Sequence, residues 1–192
     1  MIHAGCIVYW GIAERCIPFL WSYGTRMLRK GIQETPLFVT FDPLIRAVNL
    51  RLVDISVFES RKHVGVNLVI MAENRDTTVE DCATVHKIVA PRLNLLYDTR
   101  EVGIEVSTPG LQRNLKDVHE FTLYEGKRVR IYSTVLKGWI SGRIETVRED
   151  SLTVRDVIVE DTNEQLECKS VEFDEIQKAK LEYRWEDRPH GN

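Results

Sequence analysis

Residues 102–115 read Val-Gly-Ile-Glu-Val-Ser-Thr-Pro-Gly-Leu-Gln-Arg-Asn-Leu, and this stretch decides how the chain is divided. Val102, Ile104 and Val106 alternate with polar or small residues, which is the period of a half-buried strand. Pro109 fixes its own φ and Gly110 permits a positive φ, so this pair predicts a type II turn directly after the strand. A strand that ends in a rigid turn at mid-chain is a suitable link between two domains. The predicted linker residues are Ser107, Pro109, Gly110, Leu111 and Arg113.

The hydrophobic pattern before this stretch predicts the order helix, strand, strand, helix, strand. The predicted elements are a helix over 37–48, strands over 52–58 and 64–71, a helix from 79 to 96 and the strand over 102–107. Pro43 either begins the first helix or kinks a longer one, and Asn49 suits the left-handed position just past the helix end. The order is typical of a KH-like α/β domain with two layers.

The second helix carries an apolar stripe and a start signal of its own. Thr77 and Glu80 have the spacing of a capping box, with Thr77 as N-cap. The stripe that we expect to be buried consists of Val79, Cys82, His86, Val89, Leu93 and Leu96.

The pattern changes after Arg113 to short strands separated by turns, with one helical turn before the last strand. This pattern predicts a small SH3-like or Sm-like β-barrel and places the whole chain in the α+β class. The predicted units are an N-terminal extension (1–36), a KH-like domain (37–113), an SH3-like barrel (114–185) and a polar tail (186–192). We expect the extension to be disordered or to result from an upstream start assignment, with an aromatic docking peptide as the alternative.

Charge and cysteine spacing narrow the classes of function. The net charge is −3, which argues against a protein that coats bare nucleic acid. Residues up to Arg113 contain 13 Lys/Arg and 12 Asp/Glu, and the remainder contain 13 and 17. The acidic second part suits a basic protein partner, or it only keeps the protein soluble. The spacing of the four cysteines predicts no zinc site, and the interrupted apolar run near the N-terminus predicts no membrane span.

The titratable residues match no catalytic motif, metal-ligand motif or cofactor loop, so the sequence predicts no enzyme. It also lacks the Gly-x-x-Gly loop with which KH domains bind RNA. Arg128, Arg130 and Tyr132 share one face of a predicted strand, and Arg61 and Lys62 occupy a hairpin tip. These five residues are candidates for contact with RNA or the ribosome. Their alternative role is that of solvated charges that protect a sheet edge.

Four blocks carry a resemblance to a known family. Thr78-Val79-Glu80-Asp81-Cys82 resembles a Val-x-Asp-Asp-Cys helix opening, and residues 104–115 resemble a Pro-Gly-Leu signature. Gly142-Arg143-Ile144 resembles a Gly-x-Leu/Ile strand, and residues 174–181 resemble the ending Asp-Asp-Ile-x-Lys-Ala-x-Leu. Taken together over residues 37–185, the chain resembles the ribosome maturation factor RimP family. Gln112 and Asn114 replace the family's Asp and Pro, which predicts a looser linker.

The resemblance implies a KH-like domain followed by an SH3-like barrel. It further implies a non-enzymatic, cytoplasmic assembly factor that binds free small (30S) ribosomal subunits and supports their maturation. The implied partners are a basic small-subunit protein near the decoding centre and rRNA. No cofactor, small-molecule substrate or membrane is implied. A stand-alone RNA-binding module of the KH or Sm type is the alternative.

Overall fold

The structure is a computed structural model that describes Leu28 and residues 31–183. The predictions for residues 1–26 and for the tail over 186–192 lie outside these residues. The described chain is α+β, as the sequence predicts, and contains two sheets, each with its own hydrophobic core. We call them the first sheet (β1–β3) and the second sheet (β4–β9).

The first sheet has the strand order β1-β2-β3, with β1 and β2 antiparallel and β2 and β3 parallel. Two helices pack on one of its faces. The elements are α1 (Pro36–Arg46), β1 (Leu50–Glu59), β2 (His63–Ala72), α2 (Val79–Leu96) and β3 (Glu101–Ser107). Phe41 and Ile45 of α1 and Val89 and Leu93 of α2 are buried in the core beneath the sheet. The predicted order of these five elements is therefore confirmed.

The second sheet has the order β4-β9-β5-β6-β7-β8, and all its neighbouring strands are antiparallel. Its elements are β4 (Asn114–Leu115), α3 (Val118–Leu123), β5 (Arg128–Ser133), β6 (Gly138–Val147), β7 (Ser151–Val159), β8 (Glu164–Glu172) and β9 (Ile176–Leu181). A 3-10 turn over Phe173–Glu175 precedes β9, where the sequence predicts a helical turn. The strand β8 continues without a break through Ser170.

A β-bulge in β1 connects the two cores. The register between β1 and β2 shifts between Leu52 and Asp54, and the four residues from Leu52 to Ile55 are all buried. Leu52 and Ile55 join the core of the first sheet, whereas Val53 joins the core of the second. Val69 and Met71 also pack against the second core, so β2 is covered on both faces.

Local predictions at the helices are partly wrong. The N-cap of α2 is Thr78 rather than Thr77, and its capping box uses Asp81. The buried stripe is Val85, Val89 and Leu93, while Val79 is 80% exposed and His86 and Leu96 are also exposed. The helix therefore packs on a face rotated from the predicted one. Pro43 lies inside a longer α1, and Asn49 adopts the expected left-handed conformation with φ of 58°.

The predicted type II turn at Pro109-Gly110 is wrong. Gly110 does not have a positive φ. Instead the backbone N–H of Arg113 donates to the carbonyl of Gly110 at 3.0 Å, so Leu111 and Gln112 are the central residues of the turn. Because neither central residue has a positive φ, the turn does not require glycine at its centre.

Candidate functional site

Four charged side chains from β1, the linker and α3 meet where the two sheets join. We call Asp54, Arg113, Lys116 and Glu120 the junction cluster. The Nη2 of Arg113 donates to Asp54 Oδ2 at 3.2 Å, and its Nε donates to Glu120 Oε2. Lys116 Nζ donates to the same Asp54 oxygen at 2.9 Å, and its backbone N–H donates to Glu120 Oε1 at 2.9 Å. Two cations and two carboxylates therefore balance.

The junction cluster is mostly buried, so its role is to stabilise the fold. The side chains of Arg113, Asp54 and Glu120 are 10%, 4% and 1% exposed. Charges taken out of water are costly unless they are paired and hydrogen-bonded, and here each has a partner. Burial lowers the pKa of Arg113, but the hydrogen bond and charge of Glu120 outweigh it, so the net pKa is raised. Arg113 thus stays charged and holds β1 against α3.

A second set of contacts at the start of α3 strengthens the junction. Asp117 is the N-cap of α3, and its Oδ1 accepts from the His119 backbone N–H at 2.9 Å. Its Oδ2 accepts from the Ile32 backbone N–H at 3.3 Å. The buried His119 ring lies edge-on to Phe38 with centroids 5.3 Å apart. Its Nε2 lies 3.3 Å from the carbonyl of Leu52, which can only accept, so Nε2 carries the proton.

The five predicted linker residues differ in what they contact. Arg113 enters the junction cluster and reaches both sheets. Ser107 ends β3 opposite Val69, Pro109 is half-buried, and Gly110 and Leu111 are exposed. Sequence reasoning missed the partners of Arg113, since Asp54 lies 59 residues away along the chain. The local signal was the charge-rich run from Arg113 to Glu120, which does not by itself identify a buried cluster.

The predicted contact residues of β5 lie on one face of the second sheet. Arg128, Arg130 and Tyr132 are half-buried, whereas the residues between them are fully buried. Arg130 makes a two-pronged ion pair with Glu160 and lies over the Trp139 ring at 4.4 Å from its centroid. The hydrogen bond that Arg130 donates to Glu160 raises the pKa of Arg130. Trp139 is the cross-strand neighbour of Tyr132, and their ring centroids are 5.4 Å apart.

Arg61 and Lys62 are exposed in the turn between β1 and β2. They therefore belong to the first sheet, whereas Arg128, Arg130 and Tyr132 belong to the second. Sequence reasoning missed Trp139 and Glu160. The register of a hairpin between β5 and β6 was the signal that could have placed Trp139 beside Tyr132.

Within residues 31–183, His, Cys, Asp and Glu side chains do not group in a way that could hold a metal ion. Among the helices that the structure describes, none is long and apolar enough to cross a membrane.

Comparison with known proteins tests the predicted resemblance. Residues 40–112 match the family model described as the RimP N-terminal domain. The predicted resemblance to the RimP family is confirmed. The match covers the whole first sheet and ends one residue before Arg113 of the junction cluster.

Curated relatives carry the same name. The ribosome maturation factor RimP of Borreliella burgdorferi strain ZS7 is 25% identical over 107 residues, which are 55% of this chain and 72% of the relative. RimP of Borreliella burgdorferi strain ATCC 35210 is 24% identical over the same length and shares. RimP of Borreliella afzelii strain PKo is 27% identical over 90 residues, 46% of this chain and 60% of the relative. These findings support a role in ribosome maturation.

Proposed function

We propose that this protein is a non-enzymatic, cytoplasmic maturation factor of the small (30S) ribosomal subunit that binds free small subunits. The observation that carries the proposal is the match of residues 40–112 to the RimP N-terminal domain. Relatives that align with 55% of this chain carry the name ribosome maturation factor RimP, which supports the same role. The two-module architecture without a grouped set of metal-binding side chains in the described residues suits a binding protein.

We assign the first sheet with its helices to a KH-like domain and the second sheet to an SH3-like barrel, divided between residues 113 and 114. The helix-strand-strand-helix-strand order supports the first assignment. For the second, the last strand, β9, returns to pair with β5, the first long strand of the second sheet. A 3-10 turn before that last strand also favours a small barrel.

The docking mechanism that we propose is electrostatic. Glu149 and Asp150 form the turn before β7, and Glu172 pairs with Ser151 directly after that turn. The Phe173 backbone N–H donates to the Asp150 carbonyl at 2.9 Å, which brings Asp174 to the same end. We call these four exposed acidic residues the acidic end. It suits a basic small-subunit protein, because complementary charge accelerates encounter and fixes orientation.

Sucrose-gradient sedimentation of lysate tests the function. We expect the protein in the fractions of free small subunits at low salt and its loss from them at high salt, because exposed charges are screened. Equal amounts on small subunits and on complete translating ribosomes would contradict the proposal. So would migration only at the top of the gradient together with normal small-subunit pools in a deletion strain.

Matched charge reversals test the docking surface. Glu149→Lys with Glu172→Lys should reduce the fraction that sediments with small subunits. Glu34→Lys with Glu105→Lys changes the net charge equally at exposed positions outside the acidic end and should leave that fraction unchanged. An equal loss in both double variants would mean that net charge, rather than the acidic end, governs binding.

A stand-alone RNA-binding module is the second candidate function. It is favoured by the placement of Arg130 and Tyr132 against Trp139, which is a cationic and aromatic face. The neutralisation of Arg130 by Glu160 weakens this candidate. Replacing Arg128 and Arg130 by Glu should then abolish RNA affinity, and unchanged binding would remove the candidate.

A further inference from the structure

A groove lies between the end of β1 and the strands β4 and β9 of the second sheet. Its volume is about 730 Å³, and its walls include Ser56, Phe58, Trp139 and three lysines, Lys116, Lys178 and Lys180. We propose that this groove binds a single-stranded segment of RNA, with bases against Phe58 and Trp139 and phosphates on the lysines. The identification of this RNA as ribosomal rests on the proposed function. The chemistry of binding in the groove is independent of the proposed function.

Phe58 presents aromatic surface that the fold does not use. It is 63% exposed, although it is a large apolar side chain and the residues from Leu52 to Ile55 of the same strand are buried. Trp139 is half-buried, is contacted by Arg130 and Tyr132, and lines the second sheet's part of the groove. Exposed aromatic rings that face a concave surface are typical of binding sites. Every nucleobase has a face that can stack on such a ring.

The charge of the groove is one-sided. Lys178 and Lys180 alternate along β9 and pair with Tyr132 and Arg130 of β5, so all four side chains share one face of the sheet. Neither lysine makes an ion pair with another residue of the described chain. Lys116 is the third cation, and it is held by Asp54. No carboxylate is among the described residues that line the groove, although the chain carries a net charge of −3.

The combination of aromatic rings with two lysines that make no ion pair in the described chain favours single-stranded nucleic acid as the occupant. An acidic peptide would use the lysines but would not need the aromatic rings. Duplex RNA keeps its bases stacked inside the helix, where Phe58 and Trp139 cannot reach them. An unpaired strand presents both phosphates and open base faces, and therefore uses both features of the groove.

Fluorescence anisotropy of the full-length protein with a labelled 12-nucleotide oligouridine tests the proposal. We expect saturable binding, with a blunt-ended RNA duplex of the same length, a hairpin stem without its loop, binding at least about tenfold more weakly because its bases are stacked inside the helix. The affinity for oligouridine should fall with salt with a logarithmic slope of about 2, because each of three lysines contributes roughly 0.7 on a single strand.

Paired variants localise the binding. Lys178→Glu with Lys180→Glu should weaken oligouridine binding at least about tenfold and reduce the salt slope by more than about 1. Lys87→Glu with Arg92→Glu is the matched control, because it changes the net charge equally on exposed positions of α2. Phe58→Ala should weaken binding about tenfold through lost stacking. Because Phe58 is mostly exposed, this variant should fold normally, which circular dichroism checks.

The outcomes separate this proposal from the proposed function. No binding of oligouridine by the wild type, an equal affinity for the hairpin stem, or equal losses in the groove and control variants would overturn the groove proposal. If the wild type sediments with small subunits but does not bind oligouridine, the proposed function stands and the groove proposal fails. If it binds oligouridine through the groove but does not sediment with small subunits, the groove proposal stands and the proposed function fails.

Discussion

The junction cluster and the groove both lie between the two sheets, and both contain Lys116, yet their charges are arranged in opposite ways. In the cluster, two cations face two carboxylates, and three of the four side chains are nearly inaccessible to water. In the groove, Lys178 and Lys180 line an open volume beside Lys116, without a carboxylate among the described lining residues, and only Lys116 is paired, with Asp54. Matched charge that is buried holds the fold together, whereas unmatched charge that is accessible remains available to a partner.

The largest effect should come from breaking the cluster. Arg113→Ala leaves Asp54 and Glu120 buried without their shared partner, so the free energy of unfolding should fall by about 3–5 kcal/mol. Urea denaturation measures this change. Arg100→Ala is the control, because its ion pair with Glu59 is solvent-exposed and should contribute less than about 1 kcal/mol. Equal losses would mean that burial does not distinguish the two arginines.

Salt should affect RNA binding at the groove more strongly than the stability that the junction cluster provides. Between 50 and 500 mM NaCl, oligouridine binding at the groove should weaken by about 100-fold, as three lysine–phosphate contacts on a single strand imply. The free energy of unfolding should change by less than about 1 kcal/mol over the same range, because buried pairs are screened much less than exposed ones. Parallel titrations by anisotropy and by urea denaturation check both numbers. Salt-sensitive unfolding with salt-insensitive RNA binding would reverse the comparison.

The free energy of unfolding at alkaline pH should depend on Tyr124, a buried residue at the end of α3. Burial raises the pKa of Tyr124, opposed by the charge of Arg113 and aided by that of Glu120. Because the folded pKa lies above the unfolded value of about 10, this contribution to stability is complete below pH 10 and is lost as pH rises towards the folded pKa. At pH 11 the loss should be about 1 kcal/mol relative to pH 9.

Tyr124→Phe is the matched variant for this measurement. The hydroxyl oxygen of Tyr124 has no hydrogen-bond partner among the described residues, so its removal should change the free energy of unfolding little at pH 7. The variant should lose about 1 kcal/mol less than the wild type between pH 9 and pH 11 in urea denaturation. Identical pH profiles for the two proteins would contradict the assignment to Tyr124.

The smallest effect should come from the residue that the two regions share. Lys116→Met removes one half-exposed cation from both the junction cluster and the groove. The free energy of unfolding should therefore fall by less than about 1 kcal/mol. Oligouridine affinity should fall by a factor of about 2–5, since one of three phosphate contacts is lost. A loss in only one of the two assays would assign Lys116 to that region alone.

Local sequence patterns predicted the helices and strands of this fold well. Packing between elements determined which helix face is buried. Alternation in β2 and β3 and the left-handed Asn49 depend on neighbouring residues, so sequence shows them directly. The buried face of α2 depends on how the helix is rotated against the sheet. The helix turns Val85 to the core together with Val89 and Leu93. This rotation leaves Val79, His86 and Leu96 exposed. A stripe of mixed apolar residues does not fix that rotation.

The sites required contacts between residues that are distant along the chain. Arg113 was predicted as a linker residue, but Asp54 and Glu120 were not predicted as its partners. The lysines of β9 and Phe58 of β1 are more than 100 residues apart, and only the packing of the two sheets brings them to one groove. The resemblance to the RimP family could be predicted because its motifs are local, whereas a site shared by two sheets has no local signature.

The bulge at Val53 has a consequence for the order in which this chain folds during synthesis. Val53 is fully buried among residues that extend from Leu115 to Leu181. The first sheet can form its own core early, but this side chain stays in water until β5–β9 have been translated and have folded. The two halves therefore complete their folding together, and the last step of that folding waits for nearly the whole chain.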